Sequence, residues 1–297
     1  MVTSPQIPGW LAAEYPFTPR RFALSDGAAL SFLDEGPRSD SAVLMVHGNP
    51  TWSYYYRHLV RALAPARRCV VPDHVGMGFS QKPESRAYTL EQRITDLEDW
   101  VASLGLRQLD LVVHDWGGAI GLGFAGRHPE KVRRLVILNT AAFPDARIPA
   151  RIAVCRLPLL GPLLVRGLNG FAWPATRMAM AQRRLSADER RGYLLPYGSW
   201  ADRVAVNAFV RDIPMEQGHP TRATLEAVEA GLARLREKEA MILWGGRDFC
   251  FNDHFLGRWR AILPTAAVHH LADAGHYVLD DARDEVVPLI RTFLERP

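Results

Sequence analysis

The chain has 297 residues, 48% of them hydrophobic, which is ample for one large core. Its 36 basic and 32 acidic residues leave a formal charge of +4, spread without a Lys/Arg block, so a nucleic-acid partner is not expected. The three cysteines, Cys69, Cys155 and Cys250, are far apart and odd in number; they suggest neither a disulfide framework nor a metal site and fit a reducing cytoplasm. Residues 1–22 lack a basic stretch followed by an apolar core, so no signal peptide is expected there. No apolar run is long enough to span a bilayer.

In chain order, a first zone runs to about residue 142. It holds β-rich apolar runs at 42–48 (AVLMVHG), 68–74 (RCVVPDH), 109–115 (LDLVVHD) and 134–140 (RLVILNT). Segments of helical character fall between them at 54–64, 90–105 and 117–132. A middle zone, 143–215, has no convincing strand and reads as several helices broken by prolines. The first pattern then returns, with strands at 240–246 and 266–272 and helices at 255–263 and 285–295. Continuous apolar strands alternating with helices predict a sheet covered on both faces. The expected architecture is α/β: a mostly parallel central sheet flanked by helices, built from residues 1–142 and 216–297, with a helical cap inserted at 143–215.

The stretch LVVHDWGGAIG (111–121) ends a strand at Asp115, turns through Gly117-Gly118 and resumes as a helix. A side chain on such a turn is held out from the sheet at a helix start, where backbone N–H groups stabilise an anion. Asp115 needs no base to activate it. With a reference pKa of about 3.9 it is ionised at neutral pH, and it can attack an sp3 carbon to form an alkyl–aspartyl ester. The plainer alternative is a helix-capping aspartate at a strand end.

Two partners are expected downstream, an acid and then a histidine. Asp248 follows the 240–246 strand in ILWGGRDFCF, and His276 follows the 266–272 strand in LADAGHYVLDD. Side chains at neighbouring strand ends can meet at the carboxyl edge of a parallel sheet. His276 alone would read as a surface or capping histidine; all three in order, each at a strand-to-loop junction, favour a catalytic set. Asn49 opens the loop after the 42–48 strand. Its backbone N–H can pair with that of Trp116 around an oxyanion. The amide and indole side chains add uncharged donors suited to an anionic leaving group.

The motifs HGNPTW (47–52), VPDHVGMGFSQKP (71–83), VVHDWGG (112–118), WGGRDFCF (244–251) and DAGHYVLDD (273–281) resemble the haloalkane dehalogenase branch of the α/β-hydrolase superfamily. The pairing of Asn49 with an acid at Asp248 is similar to its third subfamily. The strings at 133–145, 163–172 and 197–214 look closest to the β-lactone decarboxylases of bacterial long-chain olefin biosynthesis. The resemblance implies Asp115 as nucleophile, His276 as base, Asp248 as the acid orienting it, and Asn49 with Trp116 as the anion-stabilising pair. It implies no cofactor and no metal, a small apolar substrate with room for long chains, and a cytoplasmic setting that leaves association with upstream olefin-pathway enzymes open. The best-fitting reaction is decarboxylation of a cis-3,4-dialkyl β-lactone to an olefin, with haloalkane hydrolysis as the alternative.

Two further alternatives stand. Epoxide hydrolases resemble the HDWGG turn but use cap tyrosines as acids, for which Tyr193 and Tyr197 are the candidates, with ordinary packing as their plainer role. A non-catalytic ligand-binding relative is opposed by the intact Asp115, Asp248 and His276. The segment 147–175 mixes apolar residues with arginines. It reads first as helices roofing an apolar pocket, with arginines reaching water, and second as a membrane-surface amphipath.

Overall fold

The computed structural model describes residues 7–296. Residues 1–6 and 297, which belong to the expected core segments and in part to the 1–22 reading, lie outside the described residues. Eight strands form one sheet in the order β1-β2-β4-β3-β5-β6-β7-β8. They are β1 (Arg20–Ala23), β2 (Ala29–Glu35), β3 (Ser41–Val46), β4 (Cys69–Asp73), β5 (Gln108–Asp115), β6 (Val132–Thr140), β7 (Glu239–Gly245) and β8 (Ala267–Leu271). β2 runs antiparallel to both β1 and β4, and every other neighbouring pair is parallel. The chain order reverses between β3 and β5, with β4 on one side of β3 and β5 on the other. In open α/β sheets such a reversal opens a crevice above the carboxyl ends of the strands.

The first helices are α1 (Arg57–Leu63), α2 (Leu90–Ser103) and α3 (Trp116–Arg127). Between β6 and β7 come α4 (Ala150–Cys155), α5 (Leu160–Pro162), α6 (Ala172–Met178), α7 (Ala187–Leu194), α8 (Val204–Arg211) and α9 (Thr221–Gly231). The chain closes with α10 (Asp253–Ile262), α11 (Val278–Asp281) and α12 (Arg283–Leu294). Among the described residues, none between Thr140 and Glu239 belongs to a strand.

The six expected strands are all present within two residues of their expected ends. The helix expected at 117–132 is shorter. It stops at Arg127, because His128 precedes a proline, and residue 132 already opens β6. The sequence reading did not identify β1, β2 or α9. β1 is half arginine and half-exposed, and β2 is buried yet interrupted by Ser31 and Asp34. Asp34 is tolerated there because Arg68 reaches it at 2.8 Å and Arg38 also pairs with it.

Two fastenings tie the 143–215 segment to the sheet. Asp281 accepts hydrogen bonds from the backbone N–H groups of Ala181 (2.8 Å), Gln182 (3.0 Å), Arg183 (3.0 Å) and Gly275 (2.6 Å). Asp280 is fully buried, accepts from Arg57 at 2.6 and 3.2 Å, and takes a hydrogen bond from the Tyr193 hydroxyl. Burial alone would raise the Asp280 pKa; the Arg57 charge and these hydrogen bonds overcome it and hold it far below the usual range.

Replacing Asp281 with alanine strands several buried N–H donors at once. The variant is expected to lose about 3 kcal/mol of unfolding free energy in urea titration. An unchanged midpoint would show that the 181–183 turn is held by other contacts.

Candidate active site

Asp115 is the last residue of β5 and caps α3, at φ 51° and ψ −129°. An L residue enters this region only where its surroundings impose it. Gly48, Gly117 and Gly118 make the room. A Cβ at Gly48 would collide with the Asp115 carboxylate, one at Gly117 with the Val46 carbonyl, and one at Gly118 with the Thr140 hydroxyl. The Thr140 hydroxyl also donates to the Asp115 carbonyl oxygen, tying the turn to the end of β6.

The Asp115 side chain is gripped from the backbone. The Asn49 N–H donates to Oδ1 at 2.6 Å, and the Trp116 N–H also hydrogen-bonds the carboxylate. The other oxygen, Oδ2, lies 3.6 Å from His276 Nε2. His276 Nδ1 is 2.7 Å from Asp248 Oδ2, and Asp248 Oδ1 accepts the Cys250 N–H at 2.6 Å. His114 supports this arrangement from behind, with Nε2 at 2.9 Å from the His276 carbonyl and its ring against His276 and Tyr55. The structure thus brings Asp115, His276, Asp248, Asn49 and Trp116 together at the carboxyl ends of β3, β5, β7 and β8.

The electrostatics are coupled. Burial raises the Asp115 pKa more than the His276 charge and the two backbone N–H groups lower it. Burial lowers that of His276, but the Asp248 charge and hydrogen bond, helped by Asp115, raise it further, so imidazolium is favoured. The neighbouring histidines are biased the other way. Burial pushes His47 down to about 4, and mainly burial drives His74 and His114 well below their ordinary value. One histidine in the cluster is therefore biased towards holding a proton, next to the carboxylate that lines both cavities.

Two apolar cavities meet at Asp115. Each encloses a space of about 860 to 880 Å³, part of it open to solvent. The first runs past Trp116, Phe143, Val210, Leu225 and Phe251, and the second past Pro174, Met178, Phe249, His276 and Tyr277. Asn49, Asp115, Ile152, Phe171 and Cys250 line both. The Asn49 amide donates to the Val206 carbonyl at 3.2 Å, which fixes its orientation with one N–H still free. A carboxylate, a protonatable imidazole and uncharged donors in an apolar cleft suit displacement of an anionic leaving group.

Tyr193 and Tyr197 line neither cavity. Tyr193 donates to Asp280, and the Tyr197 hydroxyl is 3.4 Å from the Thr51 carbonyl. Both are structural here, so neither is placed to act as the acid of an epoxide opening. Glu14, His58 and Glu189 cluster within 4.8 Å, but the Arg57 guanidinium already supplies their counter-charge, at 3.2 Å from Glu14 and 3.6 Å from Glu189.

Sequence reasoning placed the roof of an apolar pocket at 147–175, where Ile152 and Phe171 do line the cavities, but named none of the individual wall residues. Phe249, Cys250 and Phe251 lay within the motif around Asp248 but carried no reactive signature. Ile152 and Phe171 come from the strand-free zone, where no periodicity marks an inward face.

The family model for the α/β hydrolase fold matches residues 41–282. A curated cis-3-alkyl-4-alkyloxetan-2-one decarboxylase of Shewanella oneidensis is 44% identical over 93% of this chain and 88% of its own. Its namesake from Xanthomonas campestris pv. campestris is 43% identical over 95% of this chain and 97% of its own. Among solved structures, a haloalkane dehalogenase from Agrobacterium tumefaciens C58 superposes with a TM-score of 0.80 at 27% identity, covering 93% of this chain and 96% of that one.

The raised Asp115 pKa means that ionising this carboxylate costs folding stability. The cost is full above the folded pKa and absent below the unfolded value of about 4. His276 acts oppositely: its share of stability is present below about 6.5 and lost as pH rises through its raised folded value. Asp115→Asn is therefore expected to stabilise the fold at pH 8, on the order of 1 kcal/mol, with the gain shrinking towards pH 4. Paired urea titrations check this; a variant equally or less stable at pH 8 would contradict it.

Proposed function

Because the chain belongs to the α/β-hydrolase fold family, we propose that it decarboxylates a cis-3,4-dialkyl β-lactone (an oxetan-2-one) to a cis-olefin and CO2. Asp115 is the nucleophile, Asp248 orients His276, and Asn49 with Trp116 holds the anion that departs. Residues 143–215 form the cap over the substrate. The observation that carries this reading is the meeting of two apolar cavities at the Asp115 carboxylate. A four-membered ring with alkyl chains on adjacent carbons needs two diverging apolar channels and one nucleophile between them. The names of the relatives at 43% and 44% identity point the same way.

The steps balance without water. The Asp115 carboxylate attacks the alkyl-bearing sp3 ring carbon that carries the ring oxygen, with inversion, and breaks that C–O bond. The ring oxygen leaves as part of a carboxylate on the neighbouring carbon, where the free Asn49 N–H and the Trp116 indole N–H receive it. The C–CO2 bond then breaks, its electrons form the C=C bond, and Asp115 leaves as a free carboxylate. Inversion followed by anti elimination amounts to syn loss of CO2, so a cis ring gives a cis olefin. The His276 imidazolium balances Asp115 through both steps. When an ester is trapped instead, the neutral imidazole can activate water to hydrolyse it, with the oxyanion forming on the Asp115 oxygen already held by the Asn49 N–H. We place this activity in the cytoplasm, within long-chain olefin biosynthesis and alongside the enzymes that supply the lactone.

The same residues can hold a halide, so the test offers both substrates. With a dialkyl β-lactone and a set of bromoalkanes, the wild type is expected to yield alkene, and Asp115→Asn to lose about three orders of magnitude or more in kcat. Bromide release without alkene would leave a dehalogenase. In that case His276→Gln should accumulate an alkyl ester on Asp115, seen as added mass in the intact protein.

The two cavities also predict separable chain-length effects. Ala175 lines only the second cavity and Leu225 only the first. Ala175→Phe and Leu225→Trp are each expected to lower kcat/KM by about tenfold or more for a lactone lengthened on one side, and each on a different side. Identical profiles for the two variants would show that both chains share one cavity.

A further inference from the structure

The large hydrophobic side chains left well exposed among the described residues all fall between 154 and 200. Leu159 is 90% exposed, Leu168 71% and Leu163 56%, with Trp173 and Trp200 beside them at 45% and 47%. Leu159 is held outward at φ 63°, a backbone conformation that leucine rarely adopts. Leu163 and Trp200 flank Gly167, where a Cβ would lie 3.4 Å from one and 3.7 Å from the other, so the chain brings them onto one face. Contiguous apolar exposure of this kind marks an interaction surface.

The same region is rich in arginine. Residues 146–187 contain seven arginines and no aspartate or glutamate, against +4 for the whole chain. Four of the seven are tied to acids outside the segment, Arg147 to Asp145, Arg156 to Glu216, Arg166 to Glu84 and Arg183 to Glu189, while Arg151, Arg177 and Arg184 make no ion pair among the described residues. Arg177 sits instead over the Trp173 ring at 4.4 Å and Arg151 over Phe249 at 5.2 Å, while Arg166 also covers Trp200 at 4.6 Å. Exposed leucines, with tryptophans and arginines at their margin, match the layering of a lipid interface: acyl chains, then the headgroup boundary, then anionic phosphates.

The patch is also continuous with the second cavity. In α6, Trp173 faces outward, while Pro174, Ala175 and Met178 line that cavity. We propose that the face formed by residues 154–177 and Trp200 docks on an anionic phospholipid surface, placing the outer side of the second cavity's wall against the bilayer. This rests on the exposed face and its charge, and stands whichever substrate the site turns over. No helix among the described residues is long and apolar enough to cross a membrane, so the contact is interfacial.

The test is sedimentation of the purified full-length protein with vesicles of phosphatidylcholine alone and of equimolar phosphatidylcholine and phosphatidylglycerol. The wild type is expected to partition at least about tenfold more strongly onto the anionic vesicles. Leu159→Glu/Leu168→Glu is expected to lose about tenfold or more of that binding, and Arg177→Glu to lose it in a salt-dependent way. Neither variant touches the two cavities, so turnover of a short-chain substrate in solution and the unfolding midpoint should match the wild type. Three results would overturn the proposal: no binding of the wild type to either vesicle, binding that the double leucine variant retains in full, or a wild-type dimer in lipid-free solution that the leucine variant converts to monomer while neither binds vesicles. The last would make the patch an interface between copies of the chain.

Discussion

The site depends on keeping one buried carboxylate charged without neutralising it. Asp115 is nearly excluded from water, and an isolated charge there would protonate. Two backbone N–H groups and the facing His276 reduce that penalty but do not remove it, so the carboxyl pKa stays above its ordinary value. Much of the surrounding architecture serves this balance. The turn at φ 51° aims the N–H groups, the glycines at 48, 117 and 118 let the turn approach β3 and β6, and Asp248 keeps a proton on His276. A full ion pair in ordinary hydrogen-bond contact would quench the nucleophile; at 3.6 Å the imidazolium offsets its charge and leaves Oδ2 facing the cavity.

The parts of the molecule legible in the sequence are those where local chemistry and periodicity agree. β3 to β8 are continuous apolar runs ending in polar junctions, so the strands and the residues on their ends were readable together. Asp115, Asp248 and His276 stand at such junctions, and the sheet order brings them to one edge. What failed to show was set by tertiary pairing. β2 carries Asp34 in its interior because Arg68, far off in sequence, neutralises it. Asp280 and Asp281 sat in a quoted motif with no visible role; only the folded chain shows one buried against Arg57 and the other collecting four N–H groups. Tyr193 and Tyr197, read in the sequence as packing residues before acids, do turn both hydroxyls to structural partners.

The cavity walls explain why a single frame serves different leaving groups. Asn49 and Trp116 provide donors without charge, and the Tyr193 and Tyr197 hydroxyls are committed to structural partners. Such a site favours substrates whose departing group is stable as an anion, such as a carboxylate or a halide. It disfavours those that release a strongly basic oxygen. The choice between carboxylate and halide therefore falls to the apolar channels and not to the reacting residues.

The strand-free segment has two faces with different tasks, and this is where substrate and surroundings connect. Its inward side supplies Ile152, Phe171 and Met178 to the cavities. Its outward side keeps leucines and tryptophans in contact with solvent, at a cost the chain would not sustain for packing alone. A long-chain substrate has little solubility in water, and an olefin product has less. A cleft opening through a wall that is apolar on both sides shortens the aqueous path for each. The fastening of that wall by Asp280 and Asp281, next in sequence to His276, also couples its position to the catalytic loop.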